Sequence, residues 1–181
     1  MGSRFLLEVL LVVFLVSPAL CLVGLDTAPL LTFQNTFDCL KSQGYSFANV
    51  RAFTLEGVDF DLSVRDTLIY AQRAGLHTDL FIRPCRGKIA KNQIDVVVLV
   101  VDEQYYDKFW LYLMPNPNKG CEWHTDYKSN CDYVKLMLNQ VKYFQQDAGI
   151  YTSQESYKHI FGNYECDLSE YPLIYEQADG S

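Results

Sequence analysis

The sequence predicts an α/β protein in which helices lie outside a parallel sheet, and three observations lead to this prediction. From residue 22 onward, short runs of β-branched and aromatic residues alternate with longer amphipathic stretches. Such alternation is typical of repeated strand–helix units. The chain is 49% apolar and 14% aromatic, enough for a substantial core. Its 181 residues suggest a single domain, which we place at residues 22–181.

Strands are expected at short apolar or β-branched runs bounded by glycine, proline or polar residues. These runs cover residues 22–25, 47–53, 78–82, 109–114, 149–151 and 173–175. Helices are expected where apolar residues recur at spacings of three and four. Those stretches cover residues 33–42, 61–74, 93–108, 132–145 and 154–161.

The stretch 93–108 fits two structures. Its valine-rich run at residues 96–101 has the composition of a buried strand. Its place in the alternation, between the third and fourth strands, requires a helix. We predict a helix.

The first 21 residues have the features of an export signal. Arg4 supplies a positive charge, residues 5–16 are mostly apolar, and small residues precede a cleavage point after Cys21. An uncleaved membrane anchor is the alternative, but the run contains Glu8 and is shorter than the roughly 20 residues of a spanning helix. We expect a signal peptide at residues 1–21 and a mature protein that is secreted, or held in a secretory or lysosomal lumen, without a membrane contact.

The charge distribution argues against nucleic acid as a partner. The formal net charge is −7, and the fifteen lysines and arginines are scattered along the chain. A phosphate backbone needs a basic stripe or patch, which the sequence lacks.

Cleavage after Cys21 leaves an odd number of cysteines, so one thiol should stay unpaired. The five are Cys39, Cys85, Cys121, Cys131 and Cys166. Cys121 and Cys131 flank a short polar loop, and we predict a disulfide between them. A zinc site formed by these two cysteines and His124 is the alternative, although one histidine without a further ligand pair is a weak pattern.

Five short sequences together resemble the secreted Chalaropsis-type lysozymes of invertebrates and protists, which form glycoside hydrolase family 25. They are TFDCLKSQGYSF (36–47), AG (74–75), FIRPC (81–85), GIYTS (149–153) and PLIY (172–175). The resemblance implies a flattened (β/α) barrel that acts on peptidoglycan. Members of the family usually continue through further strands beyond the point that corresponds to Ser181, so we expect a barrel that is incomplete at its C-terminal end.

The resemblance also assigns the catalytic positions. Asp26 ends the first strand and Asp179 follows the last strand, as two aspartates of the family do. The family's decisive Asp-x-Glu pair ends the fourth strand, where this chain has Tyr112 and Met114. A thioether has no proton to donate, and a tyrosine is a poor substitute for a carboxylate near neutral pH. Glycosidic cleavage requires an acid at such a position.

Each retained residue also has a structural interpretation. Asp26 could cap the segment that follows it, and Asp179 could belong to the tail. Tyr175 and Trp123 are candidates for binding sugar rings, although tryptophans pack in cores and loops more often. Glu122 is a candidate substitute acid.

Three hypotheses follow. The first is a lysozyme-like protein that binds peptidoglycan or another glycan but is catalytically impaired. The second is an active muramidase that uses a substitute acid. The third is a diverged protein whose open barrel edge is covered by a protein partner. No cofactor or metal ion is expected, and the three histidines lack the partners of a nucleophilic triad.

Overall fold

A computed structural model describes residues 23–27, 33–54 and 59–177. Six strands form one parallel sheet in which every strand pairs with its neighbours in chain order. The strands are β1 (Val23–Thr27), β2 (Tyr45–Arg51), β3 (His77–Ile82), β4 (Phe109–Leu113), β5 (Ala148–Thr152) and β6 (Leu173–Tyr175). The helices are α1 (Gln34–Ser42), α2 (Val64–Arg73), α3 (Ala90–Val100), α4 (Tyr127–Tyr143) and α5 (Gln154–Phe161). The sheet curls into a half-barrel with the helices around it, which confirms the predicted fold class.

The main core lies between the outer face of the sheet and the helices. Alternate strand residues point to it, as expected for a pleated sheet. On β2 to β5 these include Val50, Leu80, Phe109, Leu111 and Ile150. The residues between them face the inner, concave side of the half-barrel, and this alternation determines which side chains form the site.

The valine-rich stretch is helical, as predicted from its position. Ile94 and Val97 on α3 are completely buried, whereas Leu99 is 74% exposed. This pattern is that of a helix with one face on the core. α3 ends at Val100, earlier than predicted, and a 3₁₀ turn at Glu103–Tyr105 follows it.

α4 begins five residues before the predicted start at residue 132. Asp126 caps the helix, because its carboxylate accepts a hydrogen bond from the backbone N–H of Ser129 at 3.0 Å. The cap extends the helix into the polar segment that is predicted to be a loop.

This extension explains why the predicted Cys121–Cys131 disulfide is wrong. Cys131 lies within α4 with its side chain in the core, where it pairs with Cys166. Cys121 pairs with Cys85, just beyond the end of β3. Both cysteines of the considered zinc site are therefore in disulfides, and among the cysteines that the structure describes the unpaired one is the exposed Cys39.

The predicted signal peptide at residues 1–21 and Asp179 lie outside the described residues. Within the described part of the chain, every helix is too short or too polar to cross a bilayer. β6 is an edge of the described sheet, and Leu173 and Tyr175 on it are 58% and 52% exposed.

Replacing Cys131 and Cys166 together by serine is expected to lower the free energy of unfolding by about 4 kcal/mol, since the bridge restricts a long segment of the unfolded chain. The two cysteines are 35 positions apart. Urea unfolding followed by circular dichroism measures the change. Cys39→Ser is the matched control, and an unchanged midpoint in the double variant would contradict the assigned pairing.

Candidate functional site

The candidate site lies on the concave face, near the carboxyl ends of the strands, where parallel strand–helix barrels place functional residues. Register puts Asp26 on β1 beside Asn49 on β2, and Tyr112 on β4 beside Tyr151 on β5. All four positions alternate with residues of the outer core. A polar and aromatic surface therefore lines the concave side.

Two glycines make room for aromatic rings on this surface. A Cβ atom on Gly149 would lie 2.2 Å from the ring of Trp110, and one on Gly24 would lie 2.1 Å from the ring of Phe47. Even an alanine side chain would overlap these rings. The glycines thus allow the floor of the half-barrel to be filled from neighbouring strands.

Asp26 is held by two hydrogen bonds. The hydroxyl of Tyr151 donates to Oδ2 at 2.6 Å, and Nδ2 of Asn49 donates to Oδ1 at 3.2 Å. Asn49 lies on the neighbouring strand β2, whereas Tyr151 lies on β5. The segment that Asp26 could cap lies outside the described residues, so its capping role stays a prediction. In this arrangement Asp26 acts as a hydrogen-bond acceptor on the concave face.

Tyr112 forms the centre of the site. Its ring packs on Tyr151 with 4.4 Å between centroids, and its hydroxyl donates to Oε2 of Glu176 at 3.1 Å. The guanidinium of Arg83 lies over the ring, 5.3 Å from its centroid. Burial, followed by the charge of Glu176, raises the pKa of Tyr112, so its hydroxyl stays protonated at neutral pH.

Tyr151 is protonated for the same reasons. Burial raises the pKa of its hydroxyl, and the hydrogen bond and charge of Asp26 add to the effect. Both tyrosines are therefore neutral donors, each bound to one carboxylate. Asp26 binds the hydroxyl of Tyr151, and Glu176 binds that of Tyr112.

Met114 is integrated into the surrounding structure. The hydroxyl of Ser156 donates to its sulfur at 2.8 Å, and the indole N–H of Trp123 donates to its backbone oxygen at 2.9 Å. A groove of about 740 Å³ borders Met114, Tyr175 and Glu176. The end of β4 thus offers no carboxyl group at either of the positions that the resemblance identified.

One carboxyl group on this face was not anticipated from the sequence. Asp79 on β3 accepts a hydrogen bond from the indole N–H of Trp110 at 2.7 Å. Burial raises the pKa of Asp79 despite this bond. Asp79 pairs in register with Asn49 and lies two positions before Phe81 on β3. Because Phe81 pairs with Trp110, which itself precedes Tyr112, Asp79 lies deeper in the half-barrel than Tyr112.

The other predicted site residues are distributed around this centre. Trp123 is partly buried and packs edge-on against Tyr133, at 6.2 Å between centroids, so its ring is engaged with the core. Glu122 is exposed, and its carboxylate accepts from the backbone N–H of Gly120 at 2.7 Å within its own loop. Tyr175 is exposed at the groove. Their proposed functional roles stay predictions.

Sequence reasoning missed Glu176, Asn49 and Tyr151 as members of the site. The sequence did contain an indication of Tyr151, because Tyr112 and Tyr151 alternate with core residues of β4 and β5 and so belong to the inner face of the sheet. The same alternation places Glu176 two positions after Ile174 on the inner face of β6.

Comparison with known proteins agrees with this architecture. A family model described as "Lysozyme-like protein 1" matches residues 19–181, so the chain belongs to this lysozyme-like family. It is 27% identical over 162 residues to "Probable GH family 25 lysozyme 2" of Dictyostelium discoideum, covering 87% of this chain and 73% of that protein. It is 28% identical over 167 residues to "Lysozyme-like protein 5" of Caenorhabditis elegans, covering 88% and 73%.

Solved structures show the same fold. The muramidase from Trichobolus zukalii has a TM-score of 0.71 at 15% identity, with 88% of this chain and 79% of that chain covered. A family 25 glycosyl hydrolase from Bacillus anthracis has a TM-score of 0.65 at 12% identity, with 86% and 70% covered. The chain is a diverged lysozyme-like protein of the family 25 type.

Asp79→Asn is expected to stabilise the protein at neutral pH. Because folding raises the pKa of Asp79, its ionised form destabilises the folded state above the folded pKa, and this cost disappears as the pH falls below the unfolded value. Asparagine keeps an acceptor for Trp110 without the charge.

Urea unfolding of the two proteins, between about pH 3 and pH 7, measures this difference. The advantage of the variant should grow as the pH rises. Asp38→Asn, which alters an exposed carboxylate on α1, is the control. A pH-independent difference for Asp79→Asn would show that its charge is not destabilising.

Proposed function

We propose that this protein binds peptidoglycan-type glycans on its concave face and hydrolyses them only weakly or not at all. The observation that carries the proposal is the pair Tyr112 and Met114 at the end of β4, where the resemblance to family 25 requires two acids. The lysozyme-like family and the half-barrel fold support a muramidase-like function in general.

The available carboxylates fit binding better than cleavage. A glycosidase must protonate the leaving oxygen with a carboxylic acid and stabilise the sugar cation with a second group. Asp26 and Glu176 both accept hydrogen bonds from tyrosine hydroxyls, so they serve as acceptors here. Asp79 has the raised pKa of a potential acid but is bound to Trp110 deeper in the half-barrel.

The aromatic residues give the concave face a surface on which sugar rings can stack. Tyr112 and Tyr151 pack together, and Phe81 meets Tyr112 edge-on at 5.7 Å between centroids. Aromatic rings combined with a few fixed polar groups are the usual composition of a small-molecule or sugar site. Tyr175 lies at the adjoining groove, where we propose that it extends the binding surface.

We further propose that residues 1–21 are removed as a signal peptide and that residues 22–181 act as one secreted domain. The two disulfides, Cys85–Cys121 and Cys131–Cys166, support an oxidising compartment, such as the extracellular space or a secretory lumen.

The variant Tyr112→Asp plus Met114→Glu is expected to hydrolyse peptidoglycan at least about 10²-fold faster than the natural sequence, because it restores the two acids. Release of reducing ends from purified cell walls, measured from mildly acidic to neutral pH, gives the rates.

The control Tyr143→Asp plus Leu136→Glu makes the same kinds of change at exposed positions of α4. It should stay as inactive as the natural chain. Rapid hydrolysis by the natural chain would instead favour the second hypothesis, an active muramidase with another acid.

Tyr112→Ala is expected to weaken binding to insoluble peptidoglycan by roughly tenfold, since it removes an aromatic face from the centre of the site. A co-sedimentation titration measures the affinity. Tyr143→Ala is the matched control, because Tyr143 is 76% exposed on α4. Equal losses in the two variants would argue against binding at the concave face.

A further inference from the structure

We propose that the site around Tyr112 and Tyr151 prefers glycans with free, protonated amino groups, such as de-N-acetylated glucosamine units, to fully N-acetylated ones. The inference rests on the proposed function, since it specifies which glycan the same face binds. It is carried by the arrangement of acceptors around the tyrosine pair.

The first observation is that neither of the two carboxylates forms a salt bridge within the described part of the chain. Asp26 and Glu176 flank the stacked tyrosines and take no part in the salt bridges found among the described residues. Their contacts with Tyr151 and Tyr112 supply neutral donors only. Two negative groups thus border a surface to which a ligand can bind.

The second observation is an acceptor without a donor. Asn49 is 1% exposed, and its Nδ2 donates to Asp26. Its Oδ1 has no hydrogen-bond partner. Buried polar atoms normally have one, so a ligand donor that displaces the side chains covering Oδ1 would satisfy this acceptor.

An ammonium group matches these acceptors better than an acetamido group does. It carries three N–H donors and a positive charge, and hydrogen bonds between charged groups are the stronger kind. An acetamido group has one N–H donor. Its carbonyl oxygen is a further acceptor, which the acceptors of the site cannot bind. The ring of Tyr151 beside Asp26 adds an attraction for a cation.

Arg83 limits where the amine can lie. Its guanidinium over Tyr112 offsets the charge at the Glu176 end of the pair. The amino group is therefore expected closer to Asp26 and Asn49. The formal net charge of −7 also favours the approach of a cationic ligand.

The test compares two probes of equal length, the pentamer of glucosamine and the pentamer of N-acetylglucosamine. Isothermal titration of the mature chain is made at about pH 6, where amines are protonated. The glucosamine pentamer should bind at least about tenfold more tightly. Asp26→Asn should reduce that preference at least about threefold and Glu176→Gln should reduce it less, whereas the exposed control Asp38→Asn should not change it.

The inference is overturned if the acetylated pentamer binds as tightly as the glucosamine pentamer or more tightly. It is also overturned if both site variants keep the full preference, because the preference would then come from the overall charge of the protein. It is likewise overturned if peptidoglycan binds and neither pentamer does. These results would leave the proposed function intact. The proposed function itself is refuted if the chain binds none of the three probes, namely the two pentamers and peptidoglycan.

Discussion

The stacking of Tyr112 on Tyr151 is the interaction on which the site depends. Through their hydroxyls, the two rings connect the carboxyl ends of four strands, since Tyr151 bonds to Asp26 on β1 and Tyr112 bonds to Glu176 after β6. Without the pair, the two carboxylates would have no common neighbours. The same stack fills space at the end of β4 with an aromatic ring, where the resemblance to family 25 predicts a carboxyl group.

The fold can accommodate Tyr112 and Met114 at the end of β4 because its stability depends on other parts of the structure. The main core lies between the outer sheet face and the helices, and the disulfides Cys85–Cys121 and Cys131–Cys166 join segments outside the concave surface. Tyr112 and Met114 lie on the inner side, where Glu176 after β6, Ser156 on α5 and Trp123 in a loop bind their polar atoms. Hydrolytic chemistry can therefore be lost while a shaped, polar and aromatic surface persists.

The sequence allowed the fold to be predicted more fully than the site. Alternation and periodicity identified the six strands and five α-helices of the described residues, including α3, whose valines suggested a strand. The start of α4 was missed because the Asp126 cap lies in a polar segment that resembles a loop, and the disulfide error followed from it. The contact between Tyr112 and Glu176 joins residues 64 positions apart on strands that are not neighbours, so local sequence signals could not reveal it.

The most direct test of the central claim is native mass spectrometry of the mature chain after prolonged incubation with a peptidoglycan tetrasaccharide. The account predicts a complex with the mass of the protein plus the intact tetrasaccharide. Disaccharide products at a rate typical of an enzyme, or the absence of any complex, would contradict it.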